Sequence, residues 1–225
     1  MLYSPSFFGI MILSIALGLV TQAWVKGAFR RWSKVPLATG ATGAQVARRM
    51  LDGAGLAHVG IEMVSGSLTD HYDPRAQVLR LSESVYSDSS VAAAGVAAHE
   101  AGHAIQHAAS YAPVRIRQAL VPAANVGSQA AWFLIPLGFI LNFPSLVWVG
   151  IALFASAVLF QFVTLPVEFD ASRRALAALS EGGMVPPDQI GGARKVLSAA
   201  AMTYLAATLI AVLQLAYYVG LARRD

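Results

Sequence analysis

His99-Glu100-Ala101-Gly102-His103 sets two imidazoles four positions apart, with a carboxylate beside the first. On a helix, four residues advance about 6 Å and slightly more than one turn, so both rings leave the same face and can share one ion. Glu100 then reaches a water on that ion without taking a coordination position. Zinc (Zn2+) draws the pKa of such a water from ~16 toward ~7 and polarises a carbonyl, which leaves Glu100 to accept the proton and pass it to a leaving amine. The chemistry implied is metal-assisted hydrolysis of a peptide bond. Ala101 and Gly102 leave room around the ion.

A catalytic zinc takes three protein ligands and keeps one position open. The chain has no cysteine, which excludes disulfides, thiolate-bound metals and a cysteine nucleophile, and restricts the third ligand to nitrogen or oxygen. His107 continues the stripe, but on a straight helix it lies two turns from His99 and supports or packs against the ligands rather than joining them. The metzincin spacing, with a third histidine ten residues after the first, is not met. A carboxylate is therefore expected. Leu165-Pro166-Val167-Glu168-Phe169-Asp170-Ala171-Ser172 offers Glu168 and Asp170, with Arg173 and Arg174 next to them to hold the local charge near neutral. The competing reading of the two acids is a helix start at the membrane interface, favoured by the helix dipole.

The elements that must position these groups follow from composition. Hydrophobic residues make up 56% of the chain and charged residues 12%, about half the share in a soluble domain, and mean hydropathy is +0.58. Residues 1–25, 118–167 and 196–222 carry no charge at all. A bilayer crossing needs about 20 apolar residues. Phe7–Trp24 and Ser198–Val219 each supply one crossing. The long central tract supplies two, 121–141 and 146–165, broken at Asn142-Phe143-Pro144-Ser145. Lysine and arginine collect on the cytoplasmic side. With the N-terminus outside, 14 of the 16 basic residues fall inside, leaving Arg223 and Arg224 outside. The net charge of +4 thus reads as a topology signal with attraction to anionic lipid heads, and calls for no nucleic acid. No positive charge precedes the first apolar tract, so it reads as a retained anchor rather than a cleaved signal peptide.

This gives a mainly α, multi-span membrane protein with four transmembrane helices and a small α+β cytoplasmic domain. The expected divisions are 1–25 (first span), 26–118 (cytoplasmic domain with the His-Glu-Ala-Gly-His helix), 119–165 (a transmembrane hairpin), 166–197 (cytoplasmic helices carrying the carboxylate) and 198–225 (last span and tail). Both 26–118 and 166–197 fall on the same face of the membrane. Within the domain, Thr42 can cap a helix through Val46, Met50 and Leu51 that ends at Gly53 and Gly55. Leu51-Asp52-Gly53 has the letters of a ligand motif in intramembrane proteases, but it precedes the histidine pair in an amphipathic, basic stretch and is read as that helix's end. Val59, Ile61 and Met63 alternate as a strand would; Asp73-Pro74-Arg75 signals a turn and Val78–Leu81 suits the returning strand of a hairpin. Ser87-Asp88-Ser89-Ser90 then offers N-caps for an alanine-rich helix running to about Ser110.

Three segments together resemble the YugP-like family of bacterial membrane zinc metallopeptidases: Asp70-His71-Tyr72-Asp73-Pro74, Val96 to His103, and Leu165 to Ser172. More distantly the chain is similar to HtpX and the CAAX prenyl endopeptidases. Those are membrane gluzincins whose third ligand is the Glu of a Glu-x-x-x-Asp motif in a later helix. The resemblance implies a zincin-like domain, zinc as cofactor, Glu168 as third ligand and a location in the bacterial inner membrane. Ser172 stands where that motif has its Asp, and the resemblance leaves Asp170 to take over the hydrogen bond.

The segment around His71 is a tight turn by its composition. Its functional reading is a neighbouring strand that binds substrate by strand addition, with His71 or Tyr72 holding an oxyanion. Tyr111, Arg115 and Arg117 are further oxyanion candidates. The sequence thus predicts a zinc-dependent membrane endopeptidase, with a protein or peptide as substrate, acting at the cytoplasmic surface. The alternative is a membrane scaffold or assembly factor with a structural or vestigial zinc site. A transporter is disfavoured because no ionisable residue lies within a span except at the ends.

Overall fold

The computed structural model describes residues 5–223. Helix α1 (Pro5–Trp32) is followed by α2 (Gly43–Gly53), strands β1 (Gly60–Val64), β2 (His71–Asp73) and β3 (Val78–Ser82), and the short α3 (Glu83–Ser87). Four longer helices complete the chain: α4 (Val91–Ala108), α5 (Ala112–Ile140), α6 (Pro144–Glu181) and α7 (Pro187–Ala222).

The chain divides into two compact units. The first comprises residues up to Thr21, Ala112–Pro166 and Met202 onward, and the second comprises Gln22–Tyr111 and Val167–Ala201. Among the described residues, helices α1, α5, α6 and α7 are the four that are long and apolar enough to cross a membrane.

In the first unit the apolar residues point outward. Trp132 is 73% exposed, Phe133 70% and Ile140 74%. In water such a surface would drive aggregation, whereas a bilayer solvates it. Inside, Ala131, Ile135, Val147 and Ile151 form a small core with Phe154 and Tyr218 against it. The turn between α5 and α6 uses Asn142 at φ 50°, and α6 opens on Pro144, whose missing N–H costs nothing in a first turn.

In the second unit the apolar residues point inward, with Leu51, Leu79, Leu81, Val85 and Leu179 fully buried. Thr42 caps α2 through a capping box: its hydroxyl accepts from the Gln45 N–H at 3.3 Å, and the Gln45 side chain accepts from the Thr42 N–H at 3.0 Å. Gly55 follows at φ +74°. Asp52 of Leu51-Asp52-Gly53 pairs with Arg48 at 2.9 Å in the last turn of α2.

The sheet corrects one expectation. Strand order is β1-β3-β2, with β2 and β3 antiparallel and β1 parallel to β3. The hairpin around Asp73-Pro74-Arg75 therefore joins β3 to the three-residue β2, while the Ile61 strand enters as β3's parallel neighbour. A strand of three residues shows no alternation to read. Ser90 caps α4, its hydroxyl oxygen accepting from the Ala93 N–H at 3.1 Å. Behind that cap, Ala92, Ala93, Ala94, Ala97, Ala98, Ala101 and Ala104 are all buried. A helix faced with methyl groups can approach its neighbours closely.

Candidate metal centre

Helix α4 brings His99 and His103 one above the other, with ring centroids 4.7 Å apart and planes at 84°. Of the two carboxylates open to the sequence, the structure places Glu168 against them. Its Oε2 lies 3.3 Å from His99 Nε2 and 3.6 Å from His103 Nε2. One donor atom from each of His99, His103 and Glu168 falls within 4.8 Å of the others. Tetrahedral zinc with N and O ligands at ~2.0–2.1 Å has ligand–ligand edges of about 3.3–3.4 Å, close to both distances from the carboxylate to the imidazoles. Glu168 is 3% exposed, and its Oε2 has no hydrogen-bond partner. A buried carboxylate oxygen without a donor is costly unless a cation serves it. The donor set thus fits a divalent ion of zinc's kind.

Gly102 permits this meeting. A Cβ at this position would stand 2.8 Å from the Ala171 carbonyl oxygen of α6. Backbone cannot yield to that as a flexible side chain could, so only glycine lets α6 approach α4 closely enough for Glu168 to reach the imidazoles. Glu100 is 9% exposed, beside His99 on the same helix. Burial works against a charge on His103, but the carboxylates of Glu168 and Glu100, with Gln106, outweigh it and raise its proton affinity above the ordinary value. The same concentration of negative potential attracts a metal ion.

The far sides of both imidazoles are also engaged. Ser172 Oγ lies 3.1 Å from His99 Nδ1, so the residue at the Asp position of the Glu-x-x-x-Asp pattern serves an imidazole through a hydroxyl. Asp170 has no contact with either ring. It accepts from Arg174 Nε at 2.6 Å, from Arg173 and from Gln106 Nε2 at 2.9 Å. Gln106 in turn sets its Oε1 3.0 Å from His103 Nδ1 and donates to the Val167 carbonyl at 2.8 Å. Neither Gln106 nor Ser172 stood out as a functional residue in the sequence. Gln106 left one signal, a neutral amide three residues after His103 on the ligand face of an alanine-rich helix.

The remaining candidates are not among the three donors. His107 packs edge-on against Tyr72 at 5.4 Å. His71 is exposed, its Nδ1 2.8 Å from the Thr69 carbonyl. Tyr111 lies under the Arg174 guanidinium at 5.8 Å. Arg117 lies over Phe160 at 5.7 Å, in the first unit. Asp70 closes the base of the β2–β3 hairpin, accepting from the Ser82 N–H at 2.7 Å. Burial raises its pKa despite the Ser82 bonds that oppose the shift. Asp73 is held down to about 2 by Arg80, which bonds it at 2.6 Å, together with the N–H groups of Ala76 and Arg75.

Comparison with known proteins adds two findings. The model of a family described as "Putative neutral zinc metallopeptidase" matches residues 7–223. The chain is 45% identical over 213 residues, 95% of each protein, to the "Putative membrane protease YugP" of Bacillus subtilis (strain 168). No solved structure matches.

Proposed function

The chain belongs to this neutral zinc metallopeptidase family, and we propose that it is a multi-pass, zinc-dependent membrane endopeptidase of the His-Glu-x-x-His gluzincin type. Its substrates are membrane or membrane-proximal proteins, cut at the cytoplasmic surface of the bacterial inner membrane.

The observation that carries this reading is the convergence of His99 Nε2, His103 Nε2 and Glu168 Oε2 in a buried place where that oxygen has no donor of its own. His99, His103 and Glu168 would hold zinc, which when bound supplies a Lewis acid for the scissile carbonyl and a water acidic enough to attack it near neutral pH. Glu100 takes the proton from the attacking water and delivers it to the departing amine. Ser172 and Gln106 keep the imidazoles turned toward the ion. Glu100 also speaks against a purely structural zinc site, which needs no buried general base. The short edge strand β2, with Tyr72 in contact with His107 of α4, is where an extended peptide would add to the sheet. The cytoplasmic orientation is supported by the basic residues gathered between the spans.

Metal analysis of the purified protein, paired with a casein or membrane-protein cleavage assay, tests the proposal. Wild-type protein should carry about one zinc and cleave, and Glu100→Gln should carry the zinc and not cleave. Equal cleavage by both would refute the assigned mechanism.

A further inference from the structure

We infer that Gln106 is a positioning residue that locks His103 in the tautomer whose Nε2 is bare and ties that imidazole to helix α6. The inference rests on the reading of His99, His103 and Glu168 as metal ligands, and adds the group that decides how one of them is presented.

A glutamine amide has one end that only accepts and one that only donates. The two neighbours of Gln106 Nε2, the Val167 carbonyl at 2.8 Å and Asp170 Oδ2 at 2.9 Å, are both acceptors. Arg174 donates to the same Oδ2 and Arg173 to Oδ1, so Asp170 meets Gln106 as an acceptor. Turning the amide over would face an oxygen to two oxygens, and Gln106 is 0% exposed, so no solvent is at hand to repair the mismatch. Its Oε1 must therefore face His103 Nδ1, at 3.0 Å, and an oxygen there can only accept. The ring hydrogen is thereby placed on Nδ1, and the Nε2 lone pair is left pointing toward Glu168. The outer partner of a ligating histidine fixes tautomer and ring orientation in just this manner.

His99 has a different kind of partner. A serine hydroxyl can donate or accept, so Ser172 steadies the ring without choosing its tautomer. Of the two imidazoles, His103 is the one whose protonation pattern is dictated by the fold. The bonds from Gln106 also span 61 and 64 residues to the stretch of α6 that carries Glu168, so the same side chain keeps the carboxylate in register with the ring.

The test uses full-length protein in detergent with 15N-labelled histidine and two variants. Gln106→Met keeps the size and removes both ends of the amide, whereas Gln106→Glu keeps an acceptor for Nδ1 and, as the neutral acid, still offers one hydrogen to the acceptors that Gln106 Nε2 serves. In metal-free wild type, at a pH high enough for the ring to be neutral, His103 should show its single hydrogen on Nδ1. Zinc affinity, read by competition with a chelator, should fall about 10–100-fold in Gln106→Met and stay within a few-fold of wild type in Gln106→Glu. Hydrogen on Nε2 in the wild type would overturn the inference. So would a folded Gln106→Met that binds zinc as tightly as wild type, or equal weakening in both variants. If Gln106→Met does not fold, the wild-type tautomer and the affinity of Gln106→Glu decide. Failure of the wild type to bind zinc would instead sink the reading of the metal centre, and the tautomer measurement on metal-free protein would still judge the glutamine.

Discussion

The second unit contains two clusters of carboxylates that differ in what surrounds them. On the sheet, Asp73 receives Arg80 and two backbone N–H groups, and Arg80 also meets Glu62 at 3.5 Å, all at the surface. Between α4 and α6, Glu168 faces two imidazoles from a buried position and its Oε2 accepts nothing. The first cluster is complete as the chain folds, and it shapes a turn. The second leaves a buried carboxylate oxygen without a hydrogen bond beside two imidazoles, an arrangement that could hold a metal ion. The lesson is that partners distinguish a structural acid from a functional one more sharply than burial or residue type does.

The largest effect should come from removing a donor of the second cluster. His99→Ala and Glu168→Ala should each lose zinc and proteolysis together, as metal content and cleavage measured on the same sample will show. Full zinc retention in Glu168→Ala with loss in His99→Ala would remove the carboxylate from the ligand set. Next, Glu100→Gln should separate the two readouts: metal content stays at wild type while the cleavage rate falls about 10²–10⁴-fold. Gly102→Ala should be intermediate. The added methyl meets the Ala171 carbonyl, so unfolding stability should drop by about 1–3 kcal/mol, with weaker zinc binding as α6 is pushed back.

The smallest effect belongs to the sheet. Asp73→Asn should leave zinc and activity unchanged and shift the melting temperature barely at all, since exposed ion pairs contribute little. Its pH dependence has a definite sign. Folding lowers the Asp73 pKa from 3.8 to about 2, so its contribution is present above pH 3.8 and fades as pH falls toward 2. The difference between wild type and Asp73→Asn should vanish over that window. A loss of zinc in Asp73→Asn would abolish the contrast between the clusters.

Local features were the most legible in the sequence. Thr42 is a cap read from a single residue, Ser90 is one of the four N-cap candidates in Ser87-Asp88-Ser89-Ser90, and the charge-free tracts match the four long apolar helices. What the sequence concealed depends on distant pairs. The parallel pairing of β1 with β3 leaves no mark on either strand's own pattern. The residue types alone left Glu168 and Asp170 open, two positions apart, and it was the resemblance to the Glu-x-x-x-Asp motif that pointed to Glu168. Ser172 and Gln106 work through bonds to residues 61 to 73 positions away. Gly102 looked like a spacer inside the motif, and its contact with Ala171 exists only once two helices are side by side.

The alanine and glycine face of α4 has one more consequence. Methyl groups and hydrogens have no rotamers, so a misfit there cannot be absorbed by side chains swinging aside; the backbone itself has to move. A saturation scan of Ala97, Ala98, Ala101 and Gly102 should therefore return an abrupt profile, with nearly every enlargement damaging and few graded intermediates. The helix that carries the two histidines is held against its neighbours by small buried residues, at Gly102 directly against backbone.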